Sequence, residues 1–310
     1  MAETRRTDSS EGGSVPGDFT VAKAGAAMEE ACAMAGLSPS GATLIRLGEN
    51  AVFRLTEPIV VRVARSTAYA SDARKEVAVA RWLAEKEFPA VRALPIDQPV
   101  IAGNHVVTFW ESLSESEHYG SPADVARLLA ELHRLEAPVR LSLGRLEPFA
   151  RAERRLASNG WFSDKDHAFL NDRLMELRTA YARLEFALPP GLIHGDASVG
   201  NVIHDRRGRP VLIDLDGFTT GPREWDLVLT AIYYERFGWH TAAEYAEFVK
   251  IYGFDVMQWP GYPVLRDVRE FLMVTWLSQK APQDERAAAE VRKRIDSLRT
   301  GTSRRDWEPY

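Results

Sequence analysis

The 310-residue chain contains one cysteine, Cys32. That excludes an internal disulfide framework and fits a reducing compartment such as the cytoplasm. The plain expectation at Cys32 is a small apolar side chain packed on a helix. No stretch approaches the ~18 consecutive apolar residues of a membrane span. Residues 1–17 carry Arg5 and Arg6 without an apolar core segment, so they do not read as a secretory signal. Their Ser, Gly and Glu content reads as a disordered tail. Basic excess is lacking too: the formal net charge is -5, which gives no support to a nucleic-acid or anionic-membrane partner. Internal repeats and long low-complexity blocks are absent. What is there is 45% hydrophobic and 27% charged, long enough for two moderate lobes.

The most informative stretch runs from Leu192 to Asp216, LIHGDASVGNVIHDRRGRPVLIDLD. It predicts two short strands, Asn201–His204 and Val211–Asp214, around the turn Asp205-Arg206-Arg207-Gly208. Asp196 precedes the hairpin within His194-Gly195-Asp196, and Asn201 follows five residues later. The hairpin returns Asp214 beside Asn201. One carboxylate then stands alone, with an amide and a second carboxylate held together nearby. Such a set suits a base that orients a hydroxyl, plus oxygen ligands for a magnesium ion carrying nucleotide phosphates. The competing reading is a polar loop in which Asp196 and Asn201 only form turns.

The spacing H-x-D-x-x-x-x-N, followed by an aspartate on the next strand, matches the kinase template. The run resembles the aminoglycoside phosphotransferase and choline kinase-like family of small-molecule kinases, whose signature is HGDxxxxN followed by a hydrophobic-Asp strand. The resemblance implies an α+β, two-lobed, protein-kinase-like fold with ATP and Mg²⁺ in the cleft. Its small β-rich lobe would span 18–111 and its larger, mainly helical lobe 112–310. The implied reaction moves the γ-phosphoryl group of ATP to a hydroxyl of a small molecule: an aminoglycoside or other antibiotic, a sugar, a nucleoside or an amino alcohol. Asp196 would take the hydroxyl proton, and Asn201 and Asp214 would hold Mg²⁺. His194 would orient the loop. Asp214 is followed by Leu215-Asp216-Gly217 where protein kinases have Phe-Gly. Asp216 is either a water-mediated metal contact or, preferably, a turn residue.

Upstream, helical spacing covers Phe19–Ala35 with Gly36 as a stop, and three strands are expected at Thr43–Leu47, Ala51–Leu55 and Ile59–Ala64. Between the first two lies Gly48-Glu49-Asn50. A glycine there permits close backbone approach to a ligand, although an ordinary hairpin turn explains it equally. The resemblance sets Gly48 and Asn50 over the nucleotide phosphates. Arg62 stands among valines in the third strand, where an isolated cation implies a partner or a cleft. In the family pattern a lysine occupies this position and grips the α- and β-phosphates. Arginine keeps the charge and offers a bidentate fork. Glu76, on an expected helix over Ser71–Glu87, is its candidate partner, although a solvated helix charge is equally expected there. The hairpin Val100–Ile101 and His105–Trp110 leads to Phe109, Trp110 and Glu111, whose backbone the resemblance assigns to the adenine edge.

The second lobe is expected to begin at Ser121-Pro122-Ala123-Asp124, a helix start, followed by a leucine stripe with His133 packed beside it. Another helix starts near Ser163 and stops before Pro189. Asp226 matches the family residue that braces the catalytic loop, though a helix N-terminal acid is equally expected there. Aromatics crowd residues 233–276, some of them expected to line an acceptor pocket. The last helix covers Asp284–Leu298, and Arg304–Tyr310 is expected to be a loose tail. Arg151, Arg154, Arg155, Arg223, Arg236, Arg266 and Arg269 are mixed with acids and no acidic block appears, which tempers a polycationic acceptor. Two other classes compete. A catalytically silent nucleotide-binding regulator is favoured only by arginine at 62. An interaction module without nucleotide leaves Arg62 and the polar loop unexplained.

Overall fold

A computed structural model describes residues 19–115 and 118–310; the tail expected at 1–17 lies outside the described residues. The fold is α+β, and the chain divides into two units, 1–77 with 93–112 and 78–92 with 113–310.

The first unit is one antiparallel sheet with a helix on it. Helix α1 (Val21–Ala35) starts where the Thr20 hydroxyl accepts the Lys23 N–H, and it stops at Gly36, whose φ of 70° suits a residue without a Cβ. The strands are β1 (Thr43–Leu47), β2 (Asn50–Arg54), β3 (Ile59–Ala64), β4 (Val100–Ala102) and β5 (His105–Glu111), in the order β1-β2-β3-β5-β4. Strand alternation turns Ala51, Phe53, Val61, Val63, Val107 and Phe109 inward, where they pack with Ala24, Ala27, Met28, Ala31 and Cys32 of α1. Burial, with the Glu29 charge behind it, pushes the Cys32 thiol up to about 11, so it behaves as a packed apolar residue, as expected. Helix α2 (Ala70–Glu85) follows β3, and its residues from 78 onward belong to the second unit.

The second unit is helical around two short strand pairs. Its helices are α3 (Pro122–Leu132), α4 (Ala150–Ser158), α5 (Asp164–Tyr181), α6 (Glu224–Ile232), α7 (Ala242–Tyr252), α8 (Tyr262–Leu277) and α9 (Glu285–Thr300). The expected helix starts at Ser121 and Ser163 are capped by those serines, and Thr241 caps α7 in the same way. The predicted hairpin is β7 (Val202–His204) paired with β8 (Pro210–Leu212), but the second strand ends at Leu212 rather than Asp214, because Asp214 takes a left-handed conformation that leaves the ladder. A second pair joins β6 (Gly191–Ile193) to β9 (Thr219–Gly221), so the two flanks of the Leu192–Asp216 run are tied together.

Three features depart from expectation. Helix α4 was not foreseen, because only Ala152 and Leu156 of its mostly polar sequence are buried. After α6 the chain makes a π-helical turn, Tyr233–Phe237. The segment Arg304–Tyr310 is not loose: Trp307 is buried against Phe237 and donates to the Ser297 hydroxyl, and Arg304 donates to Glu270. One large aromatic is enough to anchor seven polar-looking residues.

Phe109 tests the first unit's core. Phe109→Ala is expected to cost about 3–5 kcal/mol, read as a lower urea midpoint at unchanged slope.

Candidate active site

The loop carrying Asp196 is built on a buried carboxylate. Asp226, in the first turn of α6, has no solvent exposure. Its Oδ2 accepts the His194 N–H at 2.7 Å and its Oδ1 accepts the Gly195 N–H at 2.8 Å. The His133 ring approaches the same carboxylate at 3.1 Å and reaches Tyr252 Oη at 2.8 Å on its other side. Burial alone would raise Asp226, but the hydrogen bond and charge of His133, together with the loop N–H groups, outweigh it and hold the carboxyl below its usual value. The bracing role expected of Asp226 is thus present in the bonds. The His133 side chain is buried as anticipated, and it supports this carboxylate.

His194 is oriented from both ring nitrogens. Nε2 donates to the Ile213 carbonyl at 2.9 Å, and Nδ1 accepts the Asp196 N–H at 3.3 Å. Gly195 has φ 91°, and a Cβ there would lie 2.5 Å from the Gly217 carbonyl oxygen. Only glycine permits this contact of the two backbones. The Trp225 indole donates to the Gly195 carbonyl at 2.8 Å.

These contacts present Asp196 to solvent, with its side chain 58% exposed. Asn201 Nδ2 donates to the Asp196 carbonyl at 2.8 Å, which leaves Oδ1 on the opposite side of the amide. The same Nδ2 lies 3.4 Å from Asp196 Oδ2. The Ile213 N–H donates to the Asn201 carbonyl at 2.9 Å, so the residue before Asp214 is bonded to Asn201. Asp214 itself takes the left-handed conformation, φ 60° and ψ 63°. A non-glycine residue there is strained, and such strain collects where geometry is functional. Asp196, Asn201 and Asp214 are therefore brought together on one loop and hairpin. Asp216 is paired with Arg151 at 3.1 Å.

The residues expected on the nucleotide side lie in the first unit. Arg62 stands opposite Val52 and Thr108 in the sheet and binds Glu76 at 2.5 Å, the expected partner. Gly48 is not in a left-handed conformation, and a Cβ on it would meet nothing nearer than 4.0 Å. The fold does not require glycine there, and its lack of a side chain leaves the turn open. The Gly48 carbonyl is held by Arg65 at 2.9 Å, and Asn50 opens β2 opposite Ala64.

The adenine assignment needs one correction. Phe109 is fully buried in the core, its N–H donates to Gln98 Oε1, and its carbonyl accepts from Leu94 and Gln98. Its backbone has no group to offer a ligand, because the Leu94–Gln98 segment runs alongside. Trp110 is buried and its indole donates to the Thr108 hydroxyl. Alternation along β5 turns the Glu111 backbone to the side that Phe109 faces, away from β3, while Ser112 bonds back to Pro58.

Sequence reasoning missed the residue nearest to Asp196. Arg269 of α8 donates from Nη2 to Asp196 Oδ1 at 2.6 Å and from Nη1 to the Gly195 carbonyl at 3.2 Å. Its guanidinium lies 4.8 Å from the centre of the Trp225 ring. In the sequence it is one arginine among many, 73 residues from its partner, and no spacing rule links them. Tyr233 of the π-helical turn is also near: burial and then the Asp196 charge push its phenol up to about 12.

Residues 42–268 match the family model described as "Phosphotransferase enzyme family". A stretch of 44 residues is 52% identical to a probable ketoamine kinase of Lactiplantibacillus plantarum; it is 14% of this chain and 15% of that protein. Among solved structures, an amicoumacin kinase in complex with AMP-PNP, Ca²⁺ and Ami superposes with a TM-score of 0.64 at 17% identity, over 87% of this chain and 91% of the other. A choline kinase from Streptococcus pneumoniae gives 0.61 at 17% identity, over 87% and 98%. These likenesses show a shared fold.

Asp226→Asn places an amide NH₂ or a weaker acceptor before two loop N–H groups. It is expected to cost about 3 kcal/mol at pH 7. Because the folded-state carboxyl of Asp226 lies below its unfolded value, its contribution is complete above the unfolded pKa of about 4. It is lost as pH falls through the folded value. Urea midpoints of parent and variant should accordingly converge as the pH is lowered.

Proposed function

Because the chain belongs to the phosphotransferase enzyme family, we propose that it is a small-molecule kinase moving the γ-phosphoryl group of ATP to a hydroxyl of its acceptor. The observation that carries this reading is the Asn201–Asp196 contact on a loop held by Asp226, with Asp214 next to the residue whose backbone bonds Asn201. In it, Asp196 Oδ2 accepts a hydrogen bond from the acceptor hydroxyl and takes its proton as the new P–O bond forms. ADP leaves with the electrons of the broken P–O bond. Most of the acceleration comes from positioning, since an exposed carboxylate is a weak base.

The residues fit a magnesium ion. Asn201 Oδ1 and the Asp214 carboxylate are hard oxygen donors, and magnesium needs few protein ligands when it also holds phosphates and water. Among the described residues no three His, Cys, Asp or Glu side chains gather into a metal cage, and a nucleotide-borne ion does not need one. Bound there, the ion would neutralise charge on the phosphates. The fork of Arg62, steadied by Glu76, is suited to the α- and β-phosphates, and the open turn at Gly48 and Asn50 lets backbone approach them. On the adenine side the reading narrows from Phe109 and Trp110 to the Glu111 backbone.

The Arg62–Glu76 pair is intact, so arginine at this position speaks less for a silent regulator than it did in the sequence. No described helix is long and apolar enough to cross a membrane. A cytoplasmic setting is supported by the single, buried cysteine thiol.

Two measurements test the proposal. The melting temperature should rise with ATP and rise further with Mg²⁺; no metal-dependent increment would remove the nucleotide site. ADP release with a hydroxyl-bearing acceptor should fall about 10²–10⁴-fold in Asp196→Ala, and a variant as fast as the parent would refute the base assignment.

A further inference from the structure

Arg269 makes two contacts with the Asp196 loop and one with the Trp225 ring of α6, and its ion pair with Asp196 is the one that stability explains least. It donates to Asp196 Oδ1 and to the Gly195 carbonyl, and it stacks on Trp225. The Gly195 carbonyl is already satisfied by the Trp225 indole. Asp196 is 58% exposed, and solvent screening makes an ion pair with so exposed a partner a weak stabiliser. The arginine side chain is nevertheless 9% exposed, and its Nε is buried with no hydrogen-bond partner among the described residues. A guanidinium that leaves one donor unsatisfied is not placed for its own hydrogen bonding. It is placed where it reaches Asp196.

We propose that Arg269 is a positioning residue for Asp196, and that by compensating the carboxylate's charge it makes the acceptor subsite one for neutral or anionic hydroxyl compounds rather than polycations. The inference rests on the kinase reading above. Binding Oδ1 fixes the carboxylate rotamer and leaves Oδ2, on the side of Asn201 Nδ2, as the edge that meets the hydroxyl. The guanidinium lies behind that edge, so an approaching acceptor meets a compensated pair and not a bare anion. The aromatic face that would most readily receive a cationic group beside Asp196 is the Trp225 ring, and Arg269 already lies over it.

The experiment uses the full chain with Mg²⁺ and ATP. ADP release is measured with ribose, glucose and gluconate as neutral and anionic acceptors, and with choline and kanamycin as cationic ones. The parent should turn over one of the first three fastest. With that acceptor, Arg269→Gln should lower kcat by about a hundredfold while the KM for ATP changes less than about twofold. Arg269→Lys keeps the charge but not the two-point fork, and should fall between them. Melting temperatures of both variants separate loss of fold from loss of positioning, because a purely structural role would lower stability and leave the kcat of the folded fraction unchanged. Selectivity should shift toward choline or kanamycin in Arg269→Gln. A parent that prefers choline or kanamycin overturns the charge assignment, and a Gln variant with parental kcat overturns the positioning role. In both cases the kinase reading stands. A parent that releases no ADP with any acceptor or with water overturns that reading and this inference together.

Discussion

The carboxylate of Asp226 is the group on which the second unit's chemistry depends. It sits in the interior, an expensive place for a charge, and is tolerable there because it accepts from two adjacent backbone N–H groups and from His133. Those N–H groups belong to His194 and Gly195, the residues immediately before Asp196. The cost of burying the charge thus goes into holding a three-residue backbone segment in one conformation. His194 extends the bracing to Ile213, next to Asp214. A loop that would otherwise sample many shapes becomes a rigid mount, and rigidity is what phosphoryl transfer asks of a protein whose groups are individually weak.

A second buried acid organises the far side of α8. Glu270 is almost completely inaccessible and accepts from both Arg236 and Arg304. Arg304 also caps the Ser297 carbonyl near the end of α9, and Trp307 follows it into the interior. Helix α8 therefore faces two buried networks one residue apart, with Arg269 on Asp196 and Glu270 on the arginines. The π-helical turn Tyr233–Phe237 contributes to both, since Tyr233 feels the Asp196 charge and Phe237 stacks on Trp307. A turn that inserts one residue into a helix changes which face the following side chains occupy.

Much of this was legible in the sequence, for a reason that can be stated. Asp196, Asn201 and Asp214 lie within a single loop and hairpin, so local spacing alone sets them in one short stretch of backbone. The caps at Ser121, Ser163 and Thr241 are likewise local. What could not be seen are contacts between distant segments. Arg269 is distinguished from Arg266 or Arg223 only by which element it packs against. Phe109 looked available because strand position was clear while the Gln98 side chain, which occupies its backbone, was not. Asp226 was read correctly in outline because a family pattern, not its own chemistry, set it apart from other acids at helix starts.

The touching backbones of Gly195 and Gly217 carry a further consequence. Two backbone segments in direct contact have no side chain between them whose size could vary, so the separation of the Asp196 loop from the turn after Asp214 is a constant of the main chain. Substitutions on the helices that would face an acceptor can reshape its pocket without altering that separation. The scaffold thereby divides into a part whose dimensions are invariant and a part free to diverge.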